Sequence, residues 1–201
     1  MDFTIISYIE ILTFLVAIIF LKKRNNGLLS ILLLNAAAET FFSFNNNLIE
    51  ITVLYCYIHF ILWFFLLFKM VNKEKALKYI IPLYSIFCLI DFLYIEGARS
   101  LNYYSFVLGT FIYVSNFIVF SFQNLKKEDF SFFLSNSYII LSSPVLFFTG
   151  MSLLFAFDTS SLFHIKIIDN VSLYVIICYF VNIIYYFLIN CYIYRENRGY
   201  V

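Results

Sequence analysis

Three carboxylates stand inside long apolar stretches: Glu10 in "ISYIEILTF", Glu39 in "NAAAETFFSF" and Asp91 in "FCLIDFLYI". A carboxylate in hydrocarbon costs roughly 2.5–3.5 kcal/mol on insertion scales, so such a group faces a bundle interior or a wet cavity. Asn35 lies one helical turn from Glu39, on the same face. His59 adds an imidazole in "YCYIH", one turn from Cys56. Together Glu10, Glu39, Asp91, Asn35 and His59 are the groups that could bind a proton, a cation or a cationic ligand. A metal site needs three or four ligands, and Cys56 with His59 supplies two, so neither metal nor cofactor is expected.

The elements that carry these residues are long and apolar. The chain has 201 residues, 63% hydrophobic and only 12% charged, against roughly 25% charged in a soluble domain. A soluble fold of this size cannot hide that much apolar surface. Seven apolar blocks run at about 3–21, 27–44, 48–70, 79–95, 103–122, 136–157 and 170–194. Each is near the ~20 residues that cross a bilayer as a helix. The blocks lack the polar–apolar alternation of a membrane barrel, and backbone in lipid must bond within its own segment. The expected fold is therefore all-α: one polytopic domain of seven transmembrane helices with no soluble domain.

Basic residues set the orientation. Lys22, Lys23 and Arg24 fill the first link; Lys69, Lys73, Lys75 and Lys78 flank the third; Lys126 and Lys127 mark the fifth; Arg195 and Arg198 lie in the tail. The second, fourth and sixth links hold only Arg99 and Lys166. This alternation predicts an N-terminus outside and a C-terminus in the cytoplasm. No basic n-region precedes the first block, so it reads as a retained helix and not as a signal peptide. In this topology Glu39 lies about five residues, or roughly 8 Å, below the outer surface. Asp91 and Glu10 lie at similar depth on other helices, and His59 is nearer the midplane. An outward-facing polar cavity shared by all five residues is the simplest expectation.

Other features are weaker. "LSSPVLFFTG" places Pro144 and Gly150 in the sixth span, where a proline kinks a helix and could act as a hinge. The links 124–136 and 158–170 are the longest; the first carries Phe130, Phe132 and Phe133 and could lie along the inner interface, and the second is an ordinary connection or a lid. His164 is the only other histidine. The four cysteines all fall in apolar blocks and read as buried thiols. The seventh block holds no lysine for a retinal Schiff base, and no nucleophile elbow or phosphate-binding glycine loop is present. A net charge of +1 gives no footprint for nucleic acid.

Glu39 late in the second helix, Asn46 and Asn47 at its end, Tyr55 and Trp63 on the third helix, and the closing "NIIYYFLINCYIY" form a pattern. It resembles a group of small seven-helix membrane proteins of Bacteroidetes-type bacteria, often encoded beside two-component histidine kinases. Members often carry an acid midway along the third helix, where this chain has His59. The resemblance implies a sensory or accessory role in the bacterial inner membrane. Three classes follow from the sequence. One is a sensor or accessory subunit that passes a signal to a membrane partner such as a histidine kinase. Another is a proton or cation transporter or an oligomeric pore, as in phage-defence accessories. The last is an intramembrane enzyme acting on lipid. Beyond the bilayer itself, a homo-oligomer is a further possible partner.

Overall fold

The computed structural model describes residues 4–21, 26–44, 49–97, 100–157, 166–168 and 171–199. Lys22, Lys23, Arg24, Asn46, Asn47, Arg99, His164 and most of the 158–170 link lie outside the described residues. The helices are α1 (Ile5–Phe20), α2 (Asn26–Phe44), α3 (Ile49–Met70), α4 (Leu77–Ile90), α5 (Tyr103–Lys126), the short α6 (Ser131–Leu134), α7 (Asn136–Ala156) and α8 (Leu173–Asn197). Two strands, β1 (Lys166–Ile168) and β2 (Val171–Ser172), make a small antiparallel hairpin just before α8. The long helices fall on the apolar blocks and run on at their polar ends. α5 continues to Lys126 and α8 to Asn197, because straight-chain polar residues sustain a helix once it leaves lipid.

Among the described residues, five helices are long and apolar enough to cross a membrane: α3, α4 with its flanking turns, α5, α7 and α8. α1 and α2 have shorter apolar stretches, and they are the helices that carry Glu10 and Glu39. Their surface is nonetheless lipid-like. On α1, Tyr8, Leu12, Leu15 and Ile19 are exposed in one stripe, while Ser7, Thr13 and Ala17 are buried. This is an amphipathic helix turned inside out, as hydrocarbon surroundings require. α4 repeats the pattern with exposed Tyr79, Leu83, Ile86, Ile90 and Leu93.

Helix α1 packs on α2 and α8, α2 on α3, α3 on α5, α5 on α7, and α7 on α8, which closes a ring. α3 also touches α7 across the ring, and α4 packs outside it against α3 and α5. α3 is thus central, and its Phe60, Trp63, Phe64 and Leu67 are wholly buried. Gly150 lets α7 and α8 meet closely, since a Cβ there would lie 2.5 Å from Val181 Cγ1. Gly150→Ala is expected to cost about 1–3 kcal/mol through overpacking, seen as a lower melting midpoint in detergent. α7 is a continuous helix through Pro144. The carbonyl of Ile140, which loses its usual partner there, accepts instead from Ser143 Oγ at 2.8 Å. In the 124–136 link, Phe132 and Phe133 turn back onto the ring of Tyr138, while Phe130 and Leu134 are exposed.

Local chemistry sets the helix starts. Thr4 and Ser7 form a reciprocal capping box on α1; Ser135 caps α7 and Ser172 caps α8. α5 is different. Asn102 precedes it in a left-handed conformation, φ 52°, and its side chain caps nothing. The caps come from α4, whose end widens into one π-helical turn over Asp91–Ile95.

Candidate functional site

With the start of α1 placed at the top, the upper parts of α1 and α3 and the middle of α2 and α8 hold one hydrogen-bonded network. Tyr186 Oη on α8 donates to Glu10 Oε1 on α1 at 2.8 Å. The same hydroxyl accepts from Asn35 Nδ2 on α2 at 3.0 Å, and Asn35 Oδ1 accepts from Tyr55 Oη on α3 at 3.1 Å. Ser7 Oγ donates to Glu39 Oε1, so a second carboxyl from α2 lies beside Glu10 and within its electrostatic reach. One turn down, Asn190 Nδ2 donates to Thr13 Oγ1 at 2.8 Å and repeats the α1–α8 link. Asn35 is buried, and Glu10 and Glu39 are half-buried.

The direction of this chain follows from chemistry. An ionised carboxyl only accepts, so the Tyr186 proton goes to Glu10. The Tyr186 oxygen must then accept from the Asn35 amide, and the Asn35 carbonyl must accept from Tyr55. Every donor points toward Glu10. A proton or cation on Glu10 removes the need for the Tyr186 donor and frees the chain to reverse. The charge on Glu10 is thereby coupled to the Tyr55 hydroxyl on the central helix.

Below Tyr55 the surroundings change. Its ring stacks on His59 with centroids 5.5 Å apart. His59 Nε2 accepts from Trp63 Nε1 at 3.1 Å, which places the imidazole proton on Nδ1. Phe147 and Phe148 close on His59 at 6.2 and 5.6 Å, and Tyr185 stacks on Phe147 at 4.9 Å. His59, Trp63, Phe148 and Tyr185 are all buried. They make an aromatic floor beneath the network. Under it, Leu28, Ile31, Leu32, Leu67, Ile189 and Ile193 fill the ring with apolar side chains. The Tyr185 hydroxyl lies in the floor, beside Asn35 and Trp63.

The expected site residues therefore divide. Glu10, Asn35 and Glu39 share one region. His59 lies in its floor. Asp91 sits elsewhere, with Oδ2 accepting from Ser105 N at 2.9 Å and Ser105 Oγ at 2.5 Å in the first turn of α5. Pro144 and Gly150 are buried in α7, and Gly150 lies against Val181 of α8. Among the described residues no three His, Cys, Asp or Glu side chains group as metal ligands. Tyr186 and Asn190 carry roles that the sequence reading does not assign. Their signal is the spacing Asn182, Tyr186, Asn190, a four-residue polar stripe along an apolar helix.

The ring, with a hydrogen-bonded network of half-buried acids and buried polar side chains set against an aromatic floor, is a helical bundle with helices apolar enough to cross a membrane. No protein-family model, curated protein or solved structure matches the chain.

Proposed function

We propose that the chain is a multi-pass sensor or accessory subunit of a bacterial inner membrane that binds a proton or a cationic ligand at Glu10 and Glu39 and passes the change to a partner protein. The finer topology belongs to this reading: seven spans, N-terminus outside, C-terminus in the cytoplasm. It is supported by the grouping of Lys69, Lys73, Lys75, Lys78, Lys126, Lys127, Arg195 and Arg198 at or beside the ends of α3, α5 and α8 and the start of α4. Lys73 Nζ donates to Gln123 Oε1 at 2.6 Å, and Arg195 donates to the Leu134 carbonyl at 2.9 Å, which tie these ends together.

The observation that carries the functional reading is the floor. A conduction path needs polar groups or water across the whole bundle. Here the network meets Trp63, Phe148 and Tyr185, and beneath them the packing is apolar apart from the single Asn190–Thr13 pair. Binding without passage suits a receptor-like subunit better than a transporter or pore. With no cytoplasmic domain among the described residues, its output is contact with another membrane protein, and the resemblance to proteins encoded beside histidine kinases names the kind of partner. Proteoliposomes loaded with a pH-sensitive dye test the choice. Proton flux equal to that of protein-free vesicles is expected; flux that Glu10→Gln abolishes would overturn the reading in favour of a transporter.

A further inference from the structure

A second titratable centre lies where α4 meets α5. The π-helical turn brings Glu96 back toward Asp91, with Glu96 N donating to Asp91 O at 3.0 Å. The two carboxyls then bind neighbouring backbone amides at the start of α5: Glu96 Oε2 accepts from Tyr104 N at 3.3 Å, and Asp91 Oδ2 accepts from Ser105 N at 2.9 Å. Acceptors on adjacent amides are close neighbours, and the two carboxyls are within hydrogen-bonding reach of each other. Asp91 is wholly buried, yet its Oδ1 has no partner in the bundle. A buried carboxyl oxygen without a donor has lost its hydration with nothing to replace it. One proton on Glu96 supplies the missing donor.

We propose that Asp91 and Glu96 hold a proton between them, and that this proton latches the end of α4 onto the first turn of α5. The latch is separate from the Glu10 site and does not rest on it. Two neighbouring carboxyls repel each other when both are ionised. Burial pushes Glu96 above the usual carboxylate range, and the Asp91 charge adds to the push. A raised carboxyl stabilises the closed form at low pH, and that contribution is lost as pH rises through the raised value. The other titratable groups here are Cys88 and Tyr84 on α4, Cys56 and Tyr57 on α3, and Tyr103 and Tyr104 on α5; Arg99 lies outside the described residues. A cavity of about 20 Å³ between α3, α4 and α5, bordered by Cys88, Asn102 and Ser105, has room for one water next to the latch.

Hydrogen exchange of the Tyr104 and Ser105 amides, corrected for intrinsic rates and followed across pH in nanodiscs, tests the latch. In the wild type, protection is expected at low pH and is lost as pH rises. Glu96→Gln, whose amide donates to Asp91 at every pH, is expected to keep high protection throughout. Glu96→Ala is expected to show low protection throughout. PH-independent protection in the wild type, or a Glu96→Gln profile that follows the wild type, would overturn the proposal.

Discussion

Glu10→Gln leaves the bundle folded and removes the response of the site to protons and cations. The amide oxygen still accepts from Tyr186 at the same place, so the link between α1 and α8 survives. What disappears is the charge. An interaction with a charged group is worth about 1.5–3 kcal/mol, so affinity for a cationic ligand is expected to fall roughly ten- to a hundred-fold, and the proton response to vanish. The chain carries its own reporter. Trp63 is the single tryptophan, and it donates to His59, which stacks on Tyr55, the far end of the network. Wild-type emission is expected to change on pH titration, and Glu10→Gln emission to be flat. A variant that titrates like the wild type would remove Glu10 from the site.

Trp63→Ala has the largest expected effect on stability. Its side chain is wholly buried and meets His59, Tyr113 and Tyr185. Truncating such a residue costs about 3–5 kcal/mol through lost packing and the cavity left behind. The loss of its N–H also leaves His59 Nε2 buried without a donor, worth a further 1–3 kcal/mol or so. Trp63→Phe separates the two terms, because it keeps much of the volume and loses only the donor. Thermal melting followed by far-UV circular dichroism reads both. Equal midpoints for Trp63→Ala and the wild type would contradict the floor as a structural element.

The helices were legible because hydrocarbon demands long apolar runs, and their ends follow where polar residues begin. The neighbourhood of Glu10, Asn35 and Glu39 was legible from depth alone, since Ser7, Glu10 and Thr13 mark the inward face of α1. Asp91 was not. Equal depth suggested the same cavity, but α4 packs outside the ring, and the partner of Asp91 is the start of α5. Nor did the sequence hint at it, since Asn102 is itself a preferred N-cap residue and only its left-handed backbone, φ 52°, keeps its side chain from that role. Tyr186 was hidden by abundance: with 17 tyrosines in the chain, one more in "NIIYYFLIN" draws no notice until its four-residue spacing with Asn182 and Asn190 is counted. His59 looked like a polar liner because imidazole usually is one. Its place is decided by Trp63 one turn along the same helix, which satisfies it inside an aromatic shell.

The proposed function requires that the network around Glu10 and Glu39 be reached from the outer side alone, above an aromatic floor. Thiol labelling tests it most directly. With Cys56, Cys88, Cys178 and Cys191 replaced, single cysteines are placed at Glu39 in the network, His59 in the floor and Leu67 beneath it. Membrane-impermeant maleimide is then added to either side of sealed vesicles. The Glu39→Cys variant is expected to label from the outer side alone, and the His59→Cys and Leu67→Cys variants from neither. Labelling of Leu67→Cys from the outer side, or of Glu39→Cys from the cytoplasmic side, would contradict the closed floor and with it the account of a binding site that does not conduct.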